Sequence, residues 1–170
     1  VDGGWRLLDA TWGARQTGET GDDALARRDY YFDTPPSQMI FDHLPEATEW
    51  QLIDEPLPDA AAFNSLPNLK PTFFQHGLRL ENAFASRLAA DAGRGGTLTV
   101  TAPGPVAVAA TLSPLAGGGA ARQIPVVATG ERRDIMVEPL PRGDYVLRIY
   151  SRAGADGPYA CSADFVIRAE

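Results

Sequence analysis

Four side chains in this 170-residue sequence have types that could do chemistry: Asp9, His43, His76 and Cys161. Asp9 lies in Trp5-Arg6-Leu7-Leu8-Asp9-Ala10-Thr11-Trp12, between two tryptophans. A carboxylate among large apolar groups needs a partner, because an unpaired buried charge is costly. An imidazole is the usual partner where the carboxylate orients a catalytic base, and backbone N–H groups serve where it closes a strand end. His43, expected in a short helix, and His76, expected in a turn, read as surface or helix-end histidines. Their spacing is not that of metal ligands. Cys161 falls within a strand rather than at a helix N-terminus or beside a cation, so it reads as a small core residue and not as a reactive thiolate.

The remaining candidates point towards packing. Trp50 and the Phe73-Phe74 pair could form a binding platform, but aromatic groups of this kind more often fill a core. Gly117-Gly118-Gly119 is not followed by the Lys-Ser/Thr of a phosphate loop. A single cysteine excludes an internal disulfide framework and a multi-cysteine zinc site. We expect no cofactor and no metal. Fifteen Lys and Arg stand against 22 Asp and Glu, for a net charge of −7, with the acidity concentrated before residue 94. Such a surface repels a phosphate backbone, which argues against nucleic-acid binding. No apolar run reaches the about 18 residues of a membrane span.

The elements that must position these groups change character along the chain. Residues 5–12 read as a strand, 13–23 as a polar loop and Tyr30-Tyr31-Phe32 as an extended segment. A helix is expected to run through Gln38–Leu44, entered at Asp33-Thr34-Pro35-Pro36-Ser37 with Thr34 or Asp33 as its cap, and stopped by Pro45. Five prolines between residues 45 and 71 forbid long helices there. Short helical turns are expected over 58–66, capped by Asp59 or Pro58, and around Pro71–Gly77 with Gly77 as the stop. Residues 81–96 read as a polar connection. From Thr97 onward the pattern alternates with period two. About six or seven short strands separated by Pro and Gly turns predict an antiparallel β-sandwich. The fold class is therefore α+β, mainly β.

Gly4-Trp5-Arg6-Leu7-Leu8-Asp9-Ala10-Thr11-Trp12-Gly13 resembles the last signature of the transglutaminase-like core, a papain-like fold whose triad runs Cys, His, Asp along the chain. The blocks Asp29–Phe32, Pro35–Pro45, Trp50–Ile53, Phe63–Pro67 and Leu69–Leu78 resemble a narrower group, the kyphoscoliosis-peptidase and hillarin type. In that type an immunoglobulin-like module follows and ends in a Tyr-x-Cys strand, which Tyr159-Ala160-Cys161 resembles. The resemblance implies three parts: residues 1–32 as the end of the transglutaminase-like core, 33–93 as a helical, proline-rich connection, and 94–170 as an immunoglobulin-like sandwich. It also places Asp9 on the family's triad aspartate.

The family's Cys and His would precede Val1, whereas Cys161, His43 and His76 all follow Asp9, in the wrong order for the triad. Triad roles are not transferred to them. A lone aspartate supplies neither nucleophile nor base. Whether the protein is an enzyme is thus left open, and this chain alone is expected to be inactive. The leading expectation is a non-catalytic structural or protein-interaction part of a transglutaminase-like protein. The alternative is the C-terminal part of a thiol protease or transglutaminase, with Asp9 completing a triad whose Cys and His come from upstream or from another chain. The expected partner is another protein or the upstream part of the same protein. The expected location is the cytoplasm, with cytoskeletal association as an option. An apolar face is expected near Trp5, Leu7 and Trp12.

Overall fold

The structure, a computed structural model, describes residues 4–14, 16–18, 21–116 and 119–170. The expected turn at Gly3 and most of the Gly117–Gly119 loop lie outside the described residues. By contacts the chain divides into two compact units, Val1–Phe63 and Asn64–Glu170.

In the first unit, residues 5–12 do not form a strand. Leu8 makes an isolated antiparallel bridge to Phe32, and a turn begins at Ala10. The Trp and Thr content of this segment favours a strand, but a strand needs a ladder, and Leu8 is the single bridged position among the described residues. Tyr30 and Tyr31 are likewise not extended. They end helix α1 (Gly21–Tyr31). The aromatic pair favours strand, but the preceding Ala-Leu-Ala-Arg-Arg run is a good helix former and carries the helix into it. Both tyrosines are buried, with rings 4.9 Å apart and nearly perpendicular. Helix α2 (Pro36–Met39) starts with proline at its first positions, as expected. It ends earlier than expected, passing into turns through Asp42 and His43, whose N–H groups bond the Met39 carbonyl at 3.0 and 2.9 Å. Met39 and Ile40 are buried. A 3₁₀ turn (Thr48–Gln51) then presents Trp50 to solvent and buries Gln51, whose amide bonds Leu57 in both directions.

Helix α3 (Ala60–Ser65) is capped by Asp59, which accepts the Ala62 N–H at 2.8 Å. The division between the units falls within this short helix.

The second unit is a β-sandwich. After β1 (Asn68–Leu69) comes helix α4 (Pro71–Gln75), stopped at Gly77 with φ +67°, a left-handed conformation that glycine adopts without strain. Then follow β2 (Arg79–Leu80), β3 (Arg87–Ala90), β4 (Gly96–Thr101), β5 (Val106–Pro114) and β6 (Arg122–Ile124). The last four strands are β7 (Val126–Thr129), β8 (Arg132–Val137), β9 (Gly143–Ala153) and β10 (Ala160–Ala169). One sheet has the order β1-β10-β9-β5-β6, with β3 also pairing β10; the other has the order β2-β4-β8-β7. All pairings are antiparallel except β3 on β10.

The period-two pattern does what it predicts. Leu147 and Ile149 on β9, Phe165 and Ile167 on β10, and Val100 and Ile135 of the opposite sheet are all buried. Strand β3 lies in the stretch read as polar connection. Its alternating exposed and half-buried residues give only a faint strand signal. A bulge between Cys161 and Ala163 leaves Ser162 as an extra residue in β10, so that Ser162 and Ala163 are both buried.

Candidate functional site

Asp9 and His43 come together in the first unit. The Asp9 N–H bonds the Tyr31 carbonyl at 3.0 Å, fixing the segment against the end of α1. The chain then turns back on itself. Asp9 Oδ1 accepts the N–H groups of Thr11 at 2.7 Å and Trp12 at 2.8 Å, while the Asp9 carbonyl accepts the Gly13 N–H at 2.9 Å. This is the backbone-capping role open to any Asp at a turn. It uses one carboxylate oxygen. The other, Oδ2, lies 2.7 Å from His43 Nε2.

Gly13 is needed for this turn. A Cβ there would sit 2.9 Å from the Asp9 carbonyl oxygen, a backbone atom that cannot step aside cheaply. Aromatic groups wall the pair. The Trp12 ring lies 4.8 Å from the His43 ring and 5.7 Å from Tyr31. The Tyr31 hydroxyl donates to Asp42 Oδ2 at 3.1 Å, beside His43 in sequence. Burial, and after it the Asp42 carboxylate, push the Tyr31 hydroxyl well above its ordinary pKa.

The charge state of the pair follows from these contacts. The Trp12 N–H, then the His43 and Thr11 hydrogen bonds and the His43 charge, hold the Asp9 carboxyl below its ordinary pKa against a smaller opposing effect of burial. Asp9 is therefore an ionised acceptor, and His43 Nε2 carries the proton that faces it. His43 Nδ1 is buried and has no hydrogen-bond partner among the described residues. The arrangement orients an imidazole. Among the described residues, no thiol or hydroxyl is hydrogen-bonded to the second ring nitrogen.

His43, read as a surface or helix-end histidine, lies just past the end of α2 and is half-buried, and what that reading missed is its contact with Asp9. Two clues were present in the sequence: Asp9 needed a partner, and only two histidines exist to supply one. Their separation of 34 positions gave no sign of proximity. The other two candidates belong to the second unit and make their contacts there. His76 Nδ1 lies 2.6 Å from Ser151 Oγ, which in turn bonds Ser162 Oγ, and burial lowers the His76 pKa. This fully buried Ser pair was not anticipated. The Ser162 bulge makes it by turning a second polar residue inward. Cys161 is half-buried on β10, with Sγ 3.7 Å from Asp164 Oδ1. Burial, then the Asp164 charge, push the thiol up to about 11, so it is protonated at neutral pH. Among the described residues no cluster of His, Cys, Asp and Glu could hold a metal ion. Phe73 is buried beside the half-buried Phe74, whereas Trp50 is exposed and packs edge-on against Trp5 at 5.1 Å.

No family model matches the sequence. Among curated proteins it is similar to hillarin of Drosophila melanogaster, 34% identical over 89 residues, which is 46% of this chain and 11% of hillarin. It is similar to the LIM and transglutaminase domain protein ltd-1 of Caenorhabditis elegans, 25% identical over 114 residues, covering 61% of this chain and 16% of that protein. It also resembles kyphoscoliosis peptidase of Mus musculus, 32% identical over 79 residues, 46% of this chain and 12% of the peptidase. The chain is related to the hillarin and kyphoscoliosis peptidase type of protein. The matched part spans between about a tenth and a sixth of the length of these relatives. No helix among the described residues is long and apolar enough to cross a membrane.

Proposed function

We propose that this chain is a non-catalytic structural and protein-interaction part of a transglutaminase-like protein, organised as the end of the core (1–32), a proline-rich connection (33–93) whose strands β1, β2 and β3 join the sheets, and an immunoglobulin-like sandwich built mainly from 94–170. One observation carries the reading. Both carboxylate oxygens of Asp9 are engaged, yet the imidazole it holds keeps its second nitrogen buried, and the single thiol of the chain sits on a strand of the second unit with its pKa raised. Thiol acyl transfer needs a thiolate at an imidazole, and the Cys161 thiol, with its pKa raised, supplies none at neutral pH.

The first unit supplies a contact face instead. Trp5 and Phe32 are 74% and 70% exposed, and Leu8, bridged to Phe32, is 59% exposed, an unusual number of large apolar groups in water. The face would be covered by a partner protein or by more of the same polypeptide, in the cytoplasm. The measurement is sedimentation of the purified chain together with binding of a hydrophobic dye. Self-association or strong dye binding, reduced by Trp5→Ser, supports the reading. A clean monomer that binds no dye contradicts it.

A second reading has its own support. Asp9 is ionised and holds an imidazole, the task of a triad carboxylate, and one relative is named a peptidase. In that reading Cys and His come from upstream or from another chain, and His43 would yield its place on Oδ2. The upstream coding sequence discriminates: a Cys followed by a His in triad order favours an enzyme, and their substitution favours a scaffold.

A further inference from the structure

One end of the sandwich is incomplete. Strand β6 pairs with β5 only at Ala110, Thr111 and Leu112, so Val106–Ala109 have β9 on one side and no ladder partner on the other among the described residues. Strand β7 is the terminal strand of its sheet, paired only with β8. Between these two free edges lies a cleft of about 590 Å³, with Val106, Val108, Val126 and Ala128 among its apolar walls. Two arginines, Arg133 and Arg152, also line it.

Neither arginine has the partner its charge requires. Arg133 is 7% exposed, yet it is held only by carbonyls, those of Gly130, Arg132 and Val106. Arg152 places its guanidinium carbon 4.7 Å over the Tyr159 ring, and its Nε is buried without a hydrogen-bond partner among the described residues. Among the described residues no carboxylate lies within ion-pair distance of either, although the other ion pairs of this unit satisfy Arg94, Arg122, Arg132, Arg148 and Arg168. Buried cations are normally paired with an acid, and an unpaired buried donor is a standing cost that a ligand can relieve.

We propose that this cleft binds an extended acidic peptide, with backbone pairing to a free edge at β5 or β7, apolar side chains against the valines, and a carboxylate on Arg133 and Arg152. The occupant is set by complementarity. Free strand edges recognise extended backbone, and a fork of guanidinium donors in an apolar cleft recognises carboxylate. The inference rests on the reading of the sandwich as a protein-interaction module and names its ligand.

The test uses the full chain and a fluorescent hexapeptide alternating valine and glutamate, with its glutamine counterpart as control. Anisotropy measures affinity, and amide NMR shifts locate the site. The glutamate peptide should bind at least ten-fold more tightly than the glutamine peptide, weaken with salt, and shift the amides of Val106–Ala109 or Val126–Thr129. Arg152→Gln should lose at least ten-fold in affinity. Because Arg133 is buried, Arg133→Lys is used with a melting curve, and a folded variant should weaken binding in the same way. Equal binding of the two peptides, shifts elsewhere in the chain, or no binding at millimolar peptide would overturn the proposal. None of those results would alter the sedimentation and dye measurement on the Trp5 face, so failure of the cleft and failure of the interaction reading remain separable.

Discussion

The Asp9 carboxylate and the His43 imidazole lie 2.7 Å apart, although the sequence separates them by 34 residues. The first half of the contact is set by a turn in which Asp9 caps Thr11 and Trp12. The second half is set by α2, whose final carbonyls carry His43 into place. The pair therefore ties two otherwise weakly structured segments of the first unit, and its removal should be felt as stability and not as lost turnover.

Asp9→Ala removes one acceptor from two backbone N–H groups and from His43. Capping losses of this type cost about 1 kcal/mol, and a partly exposed ion pair adds at most about 1 kcal/mol more. A double-mutant cycle with His43→Ala, read by chemical denaturation of the first unit, should return a positive coupling of about 0.5–1 kcal/mol. Additive single effects would show that the two side chains do not act together.

Gly13→Ala should destabilise the same turn through backbone crowding, by about 1–2 kcal/mol. The hydrogen exchange of the Thr11 and Trp12 amides should quicken in parallel, because both depend on the turn holding its shape. Unchanged protection in the alanine variant would remove the close approach to the Asp9 carbonyl as an explanation for this glycine.

The pH dependence has two parts of the same sign. The folded-state pKa of Asp9 is lowered, so its contribution is complete above the ordinary carboxylate range and is lost as pH falls through the folded value. The folded-state pKa of His76 is lowered by burial, so below about pH 6.5 the unfolded chain takes up a proton more readily than the folded one, and stability declines. The groups nearest His76 are the Ser151 and Ser162 hydroxyls, which are neutral. Urea midpoints between pH 8 and 4 should fall first in the second unit, and His76→Gln should flatten the decline that begins below about pH 6.5. A decline that persists in that variant would assign it elsewhere.

Cys161 should react slowly. With its thiol pushed up to about 11, it is almost wholly protonated at pH 7.5, and its alkylation by iodoacetamide should run well below that of free cysteine and rise with pH through 9. Fast alkylation at neutral pH would mean that the strand environment activates the sulfur.

The sandwich was legible in the sequence and the first unit was not, for a physical reason. Strands such as Gly143–Ala153 and Ala160–Ala169 alternate because one face is buried. Leu147, Ile149, Phe165 and Ile167 thus announce both strand and facing at once. Truncating Ile149 to Ala should accordingly cost about 2–5 kcal/mol. Residues 5–12 carry strand-favouring Trp and Thr but have a single bridge partner among the described residues, and Trp5 and Leu8 remain in water. Local pattern specifies a strand only where a ladder exists to accept it. The turn around Asp9 was readable as a need for a partner, but the partner's identity depended on a tertiary contact that no spacing rule encodes. The Ser162 bulge was hidden because one extra residue leaves the surrounding alternation nearly intact.

The central claim is that this chain carries no thiol catalysis of its own. It is tested most directly by following ammonia release from a glutamine peptide with an amine acceptor, and hydrolysis of a mixed peptide pool, for the purified chain beside Asp9→Asn. The account predicts the same blank-level rate for both proteins. A rate above blank that Asp9→Asn abolishes would contradict it and make the Asp9–His43 pair part of a working active site.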